Sequence, residues 1–263
     1  MAKLFAFFGL LFVTACGATV EPPQPVYLTA AGSTTMTPLV QELATAFQRQ
    51  RSDVTIDVDG GGSRRGRELI AAGQVDLGLS SWLPGGPPPG SRASTIARDG
   101  IALVIHPTNP ITGLTLIQVH DLFSGRVVDW EEVGGPPGLV QVISREDGSG
   151  TRDAFEGMVM GDDAVTLTAL VMPNSQAVVD YVARDPRAIG YVSMGYLDET
   201  VRAVPVEGLL PTPENTSRGE YHLTRDLVIL DRPDAAPVAK AFIDFVLSPA
   251  GQAIVARHYG RVR

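Results

Sequence analysis

From residue 26 onward, the apolar positions move back and forth between two spacings. The stretch VYLTAAG (26–32) has the pattern of a short buried strand ending in glycine. Thr37 and Pro38 then suit the first positions of a helix, and Leu39, Val40, Leu43, Ala46 and Phe47 fall on one helical face. VTIDVDGGG (54–62) alternates as a strand and breaks into glycines; SRRGRELIAAG (63–73) predicts a short helix and VDLGLSS (75–81) a further strand. LPGGPPPGSR (83–92) has the composition of a surface loop, and GIALVIHPTNP (100–110) that of a long apolar strand placed to cross between lobes.

A second series follows, with helix 114–125, strand 139–144, helices 151–160 and 175–186, and strands 188–194 and 201–206. TRDLVIL (224–230) is a return strand, and Val238, Ala241, Phe242, Phe245 and Val246 mark a C-terminal amphipathic helix. Strands alternating with helices at this spacing predict an α/β protein with mainly parallel sheets. Two crossings would insert a second lobe (105–220) into a first made of 26–104 and 221–263, leaving a cleft between them. No repeat of solenoid period is present.

The first residues do not belong to this pattern. MAKLFAFFGLLFVTACGA has one lysine, an apolar run from Leu4 to Val13 too short to span a bilayer, and small residues before the only cysteine. VTAC (13–16) resembles a lipobox, so 1–15 is expected to be a lipoprotein signal peptide, Cys16 the lipidated N-terminus and 16–25 a proline-containing tether, the alternative being an ordinary secretory signal whose cysteine is incidental. One cysteine forms no internal disulfide. The expected location is extracytoplasmic, on the outer face of a bacterial membrane or in the periplasm.

Composition narrows the functions. The 263 residues are 44% hydrophobic, and 21 Lys+Arg against 29 Asp+Glu give a net charge of −8 without any basic run, which argues against a nucleic-acid surface. An acidic chain that binds a small anion must use placed donors and local dipoles instead of its overall field. Three stretches offer such donors, each joining glycine to hydroxyl residues just ahead of a predicted helix: AAGSTTMTPLV (30–40), DGGGSRRGREL (59–69) and REDGSGTRDAF (145–155). Glycine lets the backbone approach a ligand, a helix start exposes free amides, and Arg145 is a planar donor suited to two oxygens at once. Taken singly, each stretch is equally a helix cap, and Ser149 in DGSGT is formally a nucleophile.

These stretches, with AAGQVDLGLSSW, DLFSGRVVDWEEVGG, AIGYVSMGYL and LTRDLVIL, occur in the order found in the substrate-binding proteins of ABC-type phosphate importers, and the chain resembles that family from about Val26 to its C-terminus. The resemblance implies a type 2 periplasmic-binding-protein fold closing on inorganic phosphate, with ABC permease and ATPase subunits as partners and a monomeric state. By family pattern Thr34, Thr35, Ser63 and Ser81 would contribute from the first lobe and Arg145, Asp147, Ser149, Gly150 and Thr151 from the second. Asp147 would orient Arg145 or accept from the ligand. Some family members have an acidic residue where this chain has Ser81 followed by Trp82. Asp147, kept ionised by Arg145, is therefore the acceptor expected to favour protonated phosphate over sulfate, with Asp57 and Asp59 the lesser candidates.

Other classes fit less well. GSG around Ser149 is not the Gly-x-Ser-x-Gly elbow, and His106, His120, His222 and His258 lack a recognisable partner pattern. The pairs Asp162–Asp163 and Glu131–Glu132 read as solvated charges, and no His, Cys or carboxylate cluster has metal-ligand spacing. No enzyme, cofactor or metal is expected. A phosphate sensor without a transport role, or a binder of another tetrahedral oxyanion, is the remaining alternative.

Overall fold

The computed structural model describes residues 25–262, so the expected signal peptide, Cys16 and nearly all of the tether lie outside the described residues. In the first lobe, β1 (Val26–Gly32) is flanked in parallel by β2 (Val54–Gly61) and β3 (Leu77–Ser80), with α1 (Thr37–Gln50) and α2 (Ser63–Ala71) as connections. β4 (Arg92–Ile105) leads out of this lobe. α3 (Leu116–Ser124), β5 (Gln141–Arg145), α4 (Gly150–Phe155), β6 (Leu170–Met172), α5 (Ser175–Val182), β7 (Ala188–Ser193), β8 (Arg202–Val204) and α6 (Pro213–Arg218) follow. β9 (Thr224–Asp231) returns, and α7 (Pro237–Leu247) and α8 (Pro249–Val255) close the chain.

The strands form one curled path, β2-β1-β3-β9-β4-β7-β5-β6, with β8 also on β4. β4 belongs to both lobes. Its residues from Arg92 to Gly100 pair antiparallel with β9, and those from Ile101 to Ile105 pair with β7 and β8. The partner change falls at Gly100/Ile101, and Tyr221 and Leu223 pack with the second lobe, so both junctions lie a few residues from the boundaries drawn at 104/105 and 220/221. The strand also begins earlier than its apolar run. Ser94, Thr95, Arg98 and Asp99 interrupt the hydrophobic pattern, yet β9 supplies the ladder they need.

Each lobe has its own core. α1, α7 and α8 cover the first sheet with Leu39, Val40, Leu43, Phe47, Phe242 and Val246, and Ala44 is buried on α1 where Ala46 was expected. The C-terminal helix breaks at Ser248, where Pro249 removes an amide and the Ser248 hydroxyl caps the new helix, giving a 65° bend. In the second lobe Phe155 stacks on Tyr191 with ring centres 4.1 Å apart and meets Phe123 at 4.6 Å. β6 and α6, which have weak patterns of their own, were not anticipated; β6 is held by pairing with β5. Among the described residues no single helix is long and apolar enough to cross a membrane.

Phe155 ends α4 and is fully buried beneath it. Phe155→Ala should destabilise the protein by about 3–5 kcal/mol, read as a lowered urea midpoint with little change in slope.

Candidate functional site

All three glycine–hydroxyl stretches are strand-to-helix turns at the lobe junction. β1 ends at Gly32 (φ +138°), where a side chain would overlap the Leu79 carbonyl, and the chain then presents Ser33, Thr34 and Thr35 before α1. β2 ends at Gly61 (φ +117°), Gly62 (φ +94°) follows, and Ser63 opens α2. β5 ends at Arg145, and Ser149 caps α4 by accepting from the Arg152 amide at 3.4 Å.

The turns meet across the cleft. Thr35 Oγ1 lies 3.0 Å from Thr151 Oγ1, and Arg145 Nη2 donates to Thr34 Oγ1 at 3.3 Å. The Tyr196 hydroxyl donates to the Thr34 carbonyl at 2.7 Å, and the Arg64 amide donates to the Gly148 carbonyl at 3.3 Å. Ser63 Oγ accepts from the Ser81 amide at 3.0 Å and lies 3.2 Å from Ser81 Oγ. Gly150 sits against both serines: a Cβ there would overlap Ser63 Oγ and lie 2.6 Å from Ser81 Oγ. Thr35, Ser63, Ser81, Arg145, Ser149, Gly150 and Thr151 are buried, and Thr34 is half-buried. The structure thus brings Thr34, Thr35, Ser63, Ser81, Arg145, Ser149, Gly150 and Thr151 into one closed cluster.

Asp147 is the exception. Its side chain is 78% exposed, and its two oxygens accept from Arg64 of the first lobe at 2.7 and 2.8 Å. Arg64 beside it holds the carboxyl below its ordinary range. The expected pairing with Arg145 is therefore corrected: Glu146 orients Arg145, accepting from Nε and Nη2 at 2.8 and 2.9 Å, while Nη1 donates to Ser175 Oγ at 2.9 Å. Gly148 (φ +83°) turns the backbone between Asp147 and the buried turn, leaving Asp147 on the rim, away from the hydroxyl cluster. Asp57 and Asp59 are exposed on β2.

Sequence reasoning missed Asp99 and Arg225. They are cross-strand partners on β4 and β9, both wholly buried, with Arg225 Nε and Nη2 donating to Asp99 Oδ2 at 3.0 and 2.8 Å. Arg225 continues into the cluster, donating to the Gly150 carbonyl and to Thr151 Oγ1, both at 3.0 Å. Their one signal was an Arg-Asp pair at the head of each buried strand run, in RDGIALVI and TRDLVIL.

The arrangement is rich in donors and poor in catalytic groups. Ser149 has no histidine hydrogen-bonded to it, and its hydroxyl caps a helix. His120 bonds Asp121 and Asp163 at 3.1 and 3.0 Å, His106 bonds Thr108, and His222 and His258 are exposed. Two lobes closed over hydroxyls and a buried guanidinium define a solute-binding protein.

Known proteins bear this out. A family model described as a PBP superfamily domain matches residues 19–250. The phosphate-binding protein PstS of Bacillus subtilis is 29% identical over 226 residues, covering 84% of this chain and 75% of that protein. A structure from Clostridium perfringens, described as a phosphate ABC transporter substrate-binding protein with bound phosphate, has a TM-score of 0.86 at 35% identity, covering 90% of this chain and 100% of the other. An ABC-type phosphate transport receptor from Vibrio cholerae gives 0.75 at 30% identity, covering 89% and 99%. The chain belongs to the PBP superfamily, with the type 2 fold, and within it to the PstS-like substrate-binding proteins.

Because Gly150 touches Ser63 and Ser81 across the cleft, Gly150→Ala should leave each lobe folded but hold the lobes apart. The distance between one spin label on each lobe, measured by electron resonance, should be longer than in the wild type under identical conditions.

Proposed function

We propose that this chain is an extracytoplasmic binding protein that captures one inorganic phosphate between its lobes and delivers it to an ABC importer. The observation that carries this reading is the buried Arg145 guanidinium set beside hydroxyls from both lobes, with Thr34 of one lobe and Ser175 of the other as its partners. A tetrahedral oxyanion has an oxygen for each such set of donors, and hydrogen bonds to a charged group are stronger than neutral ones. The ligand would contact Thr34, Thr35, Ser63, Ser81, Arg145, Ser149, Gly150 and Thr151, with Glu146 holding Arg145 in place. The net charge of −8 offers a phosphate no general attraction, so the affinity rests on these placed donors. The PstS-like membership and the lipobox-like VTAC support anchoring through lipid on Cys16 as a monomer serving a membrane-bound permease.

Calorimetry should find one phosphate per chain. A ligand at a hundredfold excess over its Kd stabilises a protein that binds it only when folded by about 2.7 kcal/mol, so Tm should climb with phosphate concentration. Arg145→Ala should weaken binding by roughly 2–5 kcal/mol, the usual loss for a buried charge-assisted contact; unchanged affinity would exclude this cleft. Mass spectrometry of the mature protein should show a lipid-modified Cys16 at its N-terminus, and an unmodified start elsewhere would remove the anchor.

A further inference from the structure

Arg225 makes four hydrogen bonds from a position without solvent, and two of them leave its ion pair. Asp99 is satisfied on its other oxygen by the Ser193 hydroxyl at 2.7 Å and the Met194 amide at 3.2 Å. The guanidinium is thus anchored on its Asp99 side, and its remaining donors are aimed at the Gly150 carbonyl and Thr151 Oγ1. Thr151 Oγ1 then spends one lone pair on a cation. It also lies 3.0 Å from Thr35 Oγ1, which comes from the other lobe.

The two threonines have two hydroxyl hydrogens between them. Their mutual bond uses one, whichever residue donates, and the other is left for a third partner. A hydroxyl that accepts from a cation is polarised into a better donor, and a chain of such bonds passes the effect along. Asp99 balances the charge of Arg225, so what reaches the cleft is orientation and polarisation, without a net positive charge.

We propose that Arg225 is a positioning residue for the anion cleft: it acts through Thr151 and Thr35, holding that pair as a hydrogen donor where the lobes meet. This role rests on the phosphate-binding reading above. It also explains why the return strand is tied by side-chain bonds to a turn of the opposite lobe. Of its two partners at the cleft only Thr151 has a hydrogen to pass on, since the Gly150 carbonyl is an acceptor, so its effect on an anion must depend on the threonines.

The test is a double-mutant cycle in phosphate affinity, read by calorimetry on the mature chain. Arg225→Lys keeps a positive charge opposite Asp99 but loses the fork that serves two partners at once. Alone it should weaken phosphate binding roughly tenfold, the loss of about one hydrogen bond. In a Thr151→Val background the same change should cost less than about twofold, since coupled residues are not additive. Equal losses in both backgrounds would overturn the proposal, because a purely structural arginine would act regardless of Thr151. Should Arg225→Lys fail to fold, the neutral pair Asp99→Asn with Arg225→Gln replaces it in the same cycle. Thr35→Val and Thr151→Val, singly and together, give an independent cycle, where non-additive losses support the relay and additive losses overturn it. Wild-type protein that binds no phosphate would instead sink the functional reading itself.

Discussion

The Asp99–Arg225 pair sits where the two crossing strands change lobes, and the rest of the binding architecture is arranged around it. Taking both charges out of water costs several kcal/mol per ion. Burial pushes the Asp99 carboxyl up, opposed first by Arg225 and then by the Ser193 hydroxyl. A guanidinium does not give up its proton in a protein, and its two hydrogen bonds to Asp99 oppose the effect of burial on the carboxyl. An apolar pair of similar volume would stabilise the strands about as well. What it would not do is hold the Gly150 carbonyl and the Thr151 hydroxyl, which belong to a turn in the other lobe. The desolvation cost is therefore tied to the site and its position, more than to the stability of the sheet.

Closure depends on missing side chains as much as on those present. Gly62 approaches the Gly148 carbonyl so closely that a Cβ would lie 2.9 Å from it, and Gly150 fits between two serines of the opposite lobe. Interlobe contact this tight lets hydroxyls from both sides reach a common small volume without long flexible side chains, and so without much rotamer entropy to lose. The Arg64–Asp147 pair spans the same cleft at its rim. It is exposed and screened by salt, and such pairs contribute little to stability. The closed state is held mainly from within.

Much of this was legible in the sequence because it is local. The period changes located the strands and helices of both lobes apart from β6, α6 and the start of β4, and glycine–hydroxyl stretches ahead of helices located the turns that form the cleft. The first half of β4 was not legible, because Ser94, Thr95, Arg98 and Asp99 look like loop residues until β9 is beside them. Asp147 was assigned to Arg145, two residues before it, by family pattern. The turn at Gly148 gave it to Arg64, which lies 83 residues away, and left the role to Glu146. Arg225 was hidden for the same reason. Its motif was visible, but its partners come from two separate stretches, at Asp99 and at Gly150–Thr151, and no spacing rule links them to it.

Reassigning Asp147 also changes how the cleft could tell one tetrahedral anion from another. A carboxylate without a donor of its own would reward a protonated ligand and repel an unprotonated one. Near this cleft Glu146 is bound to Arg145, Asp147 to Arg64 and Asp99 to Arg225. Each of these three already faces a guanidinium. Within the hydroxyl cluster itself, the side chains that could accept a ligand's proton are those such as Ser81 and Ser63, which rotate and donate as readily as they accept. An unprotonated anion would not leave such a hydroxyl unpaired, so the penalty for a buried acceptor without a donor is largely avoided. On the proposed phosphate reading, discrimination would rest on the number and placement of donors and the volume they enclose. That volume is bounded by Gly150, the Ser63–Ser81 pair and the Thr35–Thr151 pair, whose Thr151 hydroxyl accepts from Arg225.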